Sequence, residues 1–173
     1  MDNSEKLIKE NWVDFKDRFC IYFVEDSTGC FDICFCFSNI DIQMFYSTCT
    51  NGINDLFLWL KQIDNRNKVI DFRIDEECAE NNIRLTNIYG ADIYELTIEN
   101  YSTDIFKKII SIDTFFKRLI YGLNNFFSKE EWSDDYYGKL ILENIQPYIE
   151  KYKINEFKCN KCNRGKLILC KQK

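Results

Sequence analysis

The chain contains no histidine, and that single absence excludes much catalytic chemistry. Ser–His and Cys–His nucleophile activation both need an imidazole base. Any metal site must likewise do without imidazole ligands. Proline occurs once, at Pro147, and the six glycines are scattered, so no Gly-rich phosphate-binding loop exists. No run approaches the roughly 18 to 20 uninterrupted apolar residues of a membrane span. The longest, Cys30 to Phe37, is interrupted by Asp32. The N-terminal stretch MDNSEKLIKENW is charged and lacks the apolar core of a secretion signal. These absences predict a soluble protein that stays in the cytoplasm. In that compartment the nine cysteines read as reduced thiols, not as a disulfide framework.

At 173 residues the chain has room for one domain and a small appendage. A domain of that size buries roughly 70% of its unfolded surface and folds without cross-links. Fifteen Phe and ten Tyr predict a core built of rings. Charge is uneven. Residues 151–173 hold eight Lys or Arg and one acid, Glu156; this segment carries +7 of a net −5, leaving −12 on residues 1–150. The reading is therefore an acidic α+β domain over residues 1–154 and a basic tail over residues 155–173. Such a body repels nucleic-acid phosphates and favours basic partners, although net negative charge also simply keeps a protein in solution.

Hydrophobic periodicity orders the elements. Leu7, Ile8, Trp12 and Phe15 fit a short amphipathic helix over Lys6 to Arg18. The period then drops to two in Phe19 to Val24 and Cys30 to Ser38, around the turn cluster Glu25 to Gly29, which indicates an antiparallel hairpin. A third strand follows at Ile42 to Ser47. Leu56, Phe57, Leu60 and Ile63 repeat at three and four, so a helix begins near Ile53 with Asn51 or Asn54 as cap. Ile70, Phe72 and Ile74 alternate with Asp71, Arg73 and Asp75 in a half-exposed strand. Asn81 to Ile88 and Asp92 to Glu99 are further strands. Thr103 or Asp104 is expected to cap a long helix whose stripe runs from Phe106 through Ile109, Ile110, Phe116, Leu119, Ile120 and Leu123 to Phe127. Ser133 caps a last helix that Pro147 is expected to kink or split. The expected fold is α+β: an antiparallel sheet of about six strands, helices mainly on one face, and a short Cys-containing tail.

Four residue groups are candidates for chemistry or binding. Asp75, Glu76, Glu77 and Glu80 cluster at a strand end, where paired carboxylates can support acid or metal-dependent catalysis. A charge run at such a junction is more often a solvated surface, and no enzyme activity is expected. In the tail, Cys159-Asn-Lys-Cys162 followed by Gly165 has the spacing of a zinc knuckle, with Cys170 as a third ligand. The fourth ligand of a closed site is missing from the pattern, and incidental cysteines are the plainer reading. With zinc bound, the chain would read as a zinc-ribbon-tailed adaptor that contacts nucleic acid or a transcription complex. Cys20, Cys34 and Cys36 share a strand face and fit a buried thiol patch better than a redox pair. Lastly, Asp71, Asp75, Glu76, Glu77, Glu80, Asp92, Glu95 and Glu99 lie on consecutive strands. They form either a solvated sheet face or one negative patch that steers a basic protein.

The segments DLFLWLKQI, VIDFRIDEE, DIYELTIEN and FKKIISIDTFFKRLIYGLNNFF, in that order, resemble the outline of immunity proteins from bacterial toxin systems. These include contact-dependent growth inhibition and related polymorphic toxins. The resemblance covers roughly residues 19 to 127 and lies in the order of elements with short sequence echoes. It implies a cytoplasmic protein that neutralises a cognate toxin domain, often a basic nuclease, by covering its active site. The cysteine tail has no counterpart in that outline.

Overall fold

The computed structural model of the chain describes residues 19–25, 31–37, 41–46, 52–76, 79–99 and 105–154. It gives the backbone alone for residues 41, 45, 46, 75, 76, 79, 80, 105, 130 and 133. Seven strands and three helices with one extra helical turn make up these residues. The strands are β1 (Cys20–Glu25), β2 (Phe31–Cys36), β3 (Asp41–Tyr46), β4 (Val69–Glu76), β5 (Ala79–Tyr89), β6 (Ile93–Glu99) and β7 (Ile105–Ser111). The helices are α1 (Gly52–Asp64), α2 (Ile112–Phe127), the single turn α3 (Glu130–Ser133) and α4 (Tyr136–Tyr152). No helix among the described residues is long and apolar enough to cross a membrane. The expected helix at Lys6 to Arg18 lies outside the described residues.

The α+β class is as expected, but the single sheet of about six strands is not. The strands form two antiparallel meanders, one ordered β1-β2-β3 and the other β4-β5-β6-β7. The described residues accordingly fall into two compact units. One gathers residues 54–76, 79–99 and 105–116; the other gathers 19–25, 31–37, 41–46, 52–53 and 117–154. Alternation of apolar residues identifies strands without saying which strands share a sheet. That choice rests on long-range pairing, which leaves no local signal.

In the four-stranded unit, Phe72, Ile83 and Ile98 are paired in register across β4, β5 and β6, and all three are buried. Trp59 of α1 lies flat on Phe72, ring centroids 4.3 Å apart, and meets Phe115 edge-on at 6.0 Å. Helical residues thus cover the face that Phe72 shares with Ile70 and Ile74.

Residues 105–111 are strand β7, where the pattern had predicted the start of a helix. They pair along β6 from Ile93↔Ser111 to Glu99↔Ile105. Ile105, Ile109 and Ile110 are β-branched and suit a pleated surface better than a helix. The segment Phe106, Ile109, Ile110 fits either period, and the free edge of β6 decides it. The helix begins about two turns later than expected, where Ser111 Oγ accepts a hydrogen bond from Thr114 N at 3.4 Å and Asp113 occupies the first turn.

The three-stranded unit is buried on both faces. Ile21, Phe23, Phe31, Ile33 and Phe35 line one face; Cys20, Cys34, Cys36 and Val24 line the other. Cys20 stands directly opposite Cys36, and all three thiols are buried. Asp32 on this second face accepts a hydrogen bond from Gln43 Nε2. Against the first face packs the C-terminal half of α2. Phe31 contacts Phe127 edge-on at 5.3 Å, Phe126 at 5.7 Å and Trp132 at 6.4 Å.

The last helix is capped by Asp135, two residues beyond the expected Ser133, and runs continuously through Pro147 without splitting there. Pro147 is solvent-exposed, so the carbonyl it leaves unbonded has access to water.

Gly122 marks a close approach of α2 to β1. A Cβ at that position would collide with the Ile21 carbonyl oxygen, a backbone atom that cannot swing aside. Gly122→Ala is therefore expected to destabilise the fold by about 1–3 kcal/mol. Chemical denaturation of the variant beside the parent reads this directly, and equal midpoints would contradict the packing described.

Candidate binding surface

The solvent face of β4–β7 holds three of the eight acids that the strand pattern singled out, Asp71, Glu95 and Glu99, together with cations that it did not. Strand alternation turns Asp71 and Arg73 outward from β4, and both are exposed. Register then places Asp71 opposite Arg84, Arg84 opposite Thr97, and Thr97 opposite Lys107 in one row across the sheet. A neighbouring row runs from Arg73 through Asn82 to Glu99. On the other side, Val69, Thr86, Glu95 and Ile109 are aligned. Asp71, Glu95 and Glu99 are thus brought onto one face, interleaved with Arg73, Arg84 and Lys107.

The charges on this face are locally compensated. Arg84 Nε donates to Asp71 Oδ1 at 2.6 Å. That hydrogen bond, then the Asp71 charge and more weakly that of Glu99, hold the guanidinium above the ordinary arginine range. Lys107 Nζ lies 3.6 Å from Glu95 Oε1. Asn82 Nδ2 reaches Glu99 Oε2 at 3.5 Å. The described side chains on the face carry both signs in equal number, so the face presents a pattern of charge and not a uniform field.

Asp92 is not part of this array. It sits in the β5–β6 turn, seven residues along from Glu99 and so about 23 Å away at strand spacing. Its carboxylate lies 4.0 Å from Arg66, and its backbone carbonyl accepts from Ile112 N at 2.9 Å. Asp75 pairs with Glu80 and Glu76 with Ala79 in backbone register at the far end of the β4–β5 hairpin. Their side chains, and Glu77 altogether, lie outside the described residues. So do Cys159, Cys162 and Cys170. Among the described residues no three His, Cys, Asp or Glu side chains converge in a way that would hold a metal ion.

Arg66 is a structural residue that sequence reading passed over. It closes α1 with a left-handed backbone, φ 56°, in a position that usually selects glycine. Arg66 N bonds to Ile63 O and Asn67 N to Gln62 O, the paired bonds of a Schellman cap. Its guanidinium donates to Asp113 Oδ1 at 3.0 Å and so ties the end of α1 to the start of α2. The strain of an arginine in this conformation, about 1 kcal/mol, is offset by that clamp.

A second polar surface lies in the other unit, at the start of α4. Tyr136 and Tyr137 are exposed and touch each other, ring centroids 5.4 Å apart at 71°. They follow Asp134 and Asp135. The sequence carries the signal as EEWSDDYY, four acids and two adjacent tyrosines in eight residues, but exposure of the rings is decided only by the fold.

Compared with protein-family models, with curated proteins and with solved structures, the chain matches none.

Two stability outcomes follow from these pairs. Arg66→Ala should destabilise by about 1–2 kcal/mol, because it keeps the left-handed strain and loses the clamp. Arg66→Gly should cost distinctly less, because it removes the strain as well. Equal losses in thermal or urea unfolding would show that the backbone position is indifferent. A double-mutant cycle on Asp71→Asn and Arg84→Gln should give a coupling below about 1 kcal/mol that shrinks with salt, since both groups are substantially exposed.

Proposed function

We propose that this chain is a binding protein of the toxin-immunity kind, which occupies a cognate toxin domain and performs no reaction itself. The observation that carries the reading is the solvent face of β4–β7. Asp71, Arg84, Lys107 and Glu95, with Arg73 and Glu99, are held in cross-strand rows on a regular sheet. A rigid array of alternating charge discriminates between partners strongly, because a partner with the wrong order of charges meets like against like. It contributes modestly to affinity, because each exposed pair is solvent-screened. The absence of histidine and the order of elements resembling toxin-immunity proteins both support the same reading. The basic tail with Cys159, Cys162 and Cys170 has no role in it.

An immunity gene is expected to lie beside its toxin's gene, so co-expression with the products of the genes flanking this one tests the proposal. Cells carrying both should grow, and the two proteins should co-purify at one-to-one stoichiometry. Growth arrest despite full expression of this chain would retire the immunity reading. Reversing Glu95 and Glu99 together to lysine should weaken the complex about tenfold or more through like-charge contacts, at a stability cost of about 1–2 kcal/mol from the like pairs created with Lys107 and Arg84.

A further inference from the structure

We infer that the exposed Tyr136–Tyr137 pair, which directly follows the acidic segment Glu130 to Asp135 in the chain, is a contact site for an arginine-rich protein surface. The inference deepens the binding-protein reading and takes from it only that the partner is a protein.

The starting observation is the rings. Tyr136 is 70% exposed and is the most exposed large apolar side chain among the described residues; Tyr137 is 47% exposed. Single exposed aromatics are ordinary, but two in mutual contact present a continuous ring surface. Tyrosine is also among the residues most enriched at the energetic centres of protein interfaces.

The rings stand on a rigid base. Asp135 is the N-cap of α4, and its carboxylate accepts from Tyr137 N at 2.8 Å and Gly138 N at 3.2 Å. Asp135 N in turn bonds to Trp132 O at 3.1 Å, which ties the cap to α3. Gly138 presses so closely on the Trp132 carbonyl oxygen that no larger residue fits. Trp132 itself is packed on Phe126 at 5.4 Å and Phe127 at 5.6 Å. A backbone anchored in this way need not be ordered on binding, which favours affinity.

Charge selects the partner. Residues 129–139 hold four acids and two lysines. Of the lysines, Lys129 lies over the Phe126 ring at 4.9 Å, and Lys139 is 3.7 Å from Asp134. The Asp134 side chain is 91% exposed and Lys139 57%, so their pair is solvent-screened and yields readily to a competing cation; Glu131 is exposed as well. Exposed tyrosine faces attract cations, and nearby carboxylates add to the attraction. Arginine satisfies both at once, because its planar guanidinium stacks on a ring while donating two parallel hydrogen bonds to a carboxylate. Lysine can serve the charge but not the plane. The same carboxylates oppose the alternative ligand of a stacked ring pair, a single-stranded nucleic acid.

The test uses the full chain and three probes: nona-arginine, nona-lysine and a short oligothymidylate, each titrated calorimetrically at low salt. The chain should bind nona-arginine more tightly than nona-lysine. Y136A/Y137A should lose that preference, by roughly fivefold or more, which is the effect expected of two exposed cation–ring contacts. Y136F/Y137F should retain it, since the rings remain. Circular dichroism confirms folding of each variant, and both side chains are exposed enough to be removed without touching the core. Equal affinity for the two peptides, an unchanged preference in Y136A/Y137A, or tightest binding to the oligothymidylate would each overturn the inference. Toxin protection separates the two proposals. If the parent protects and Y136A/Y137A protects equally well, the immunity reading stands and this contact site falls. If the parent fails to protect while the arginine preference persists and depends on the rings, the site stands and the immunity reading falls.

Discussion

The placement of every charged residue on the four-stranded sheet depends on one row of apolar pairs. Phe72 lies opposite Ile83, and Ile83 opposite Ile98, on the face that Trp59 covers. Side chains on a strand alternate with a period of two, so burying this row commits the neighbouring residues to the solvent face. A slip of one residue would bury Asp71 and Arg84 and expose Phe72. The hydrophobic effect therefore sets the register, and electrostatics acts only on positions already assigned. The Asp71–Arg84 bond is a consequence of packing and not its cause.

This hierarchy explains why the face is two-signed. Acids dominate residues 1–150 as a whole, and the strand pattern alone makes a negative patch look natural. Register, however, brings Arg73, Arg84 and Lys107 between Asp71, Glu95 and Glu99. Like charges opposite one another on a sheet are destabilising, and opposite charges are mildly stabilising. Asp71, Arg84, Glu95 and Lys107 follow that rule and pair internally, whereas at the far end of the β4–β5 hairpin the register sets Asp75 opposite Glu80. Exposed negative charge accompanied by apolar surface occurs instead around Asp134, Tyr136 and Tyr137, on a helix end held by Asp135 and Trp132.

Local cues and long-range pairing compete most openly at residues 105–127. Phe106, Ile109 and Ile110 have helical spacing and continue smoothly into Phe116, Leu119, Ile120 and Leu123. The same three residues also serve an edge strand, and β6 offers them a ladder of backbone hydrogen bonds. Ser111 and Asp113 mark the true start of the helix, and they are a legible cap and first-turn signal. Pairing wins upstream of Ser111 because a helical start there would leave one side of β6 without partners for its N–H and C=O groups. Arg66 is a comparable case: its left-handed backbone is unfavourable locally and is stabilised by Asp113, 47 residues away.

By itself the sequence determined the α+β class, the alternating strands β1 to β6, helix α1 and the exclusion of imidazole chemistry. Each of these follows from composition or from a period set within a few residues. Only the tertiary structure decided that the strands divide into two sheets, that residues 105–111 are extended, and that Asp92 serves a turn while Asp71, Glu95 and Glu99 share a face. It alone exposed Tyr136 and Tyr137 while burying Trp59, Phe115 and Phe126. The physical reason is common to all of these. They depend on which residues meet across long separations, and that is settled by burying a shared apolar surface, not by the preference of any one segment.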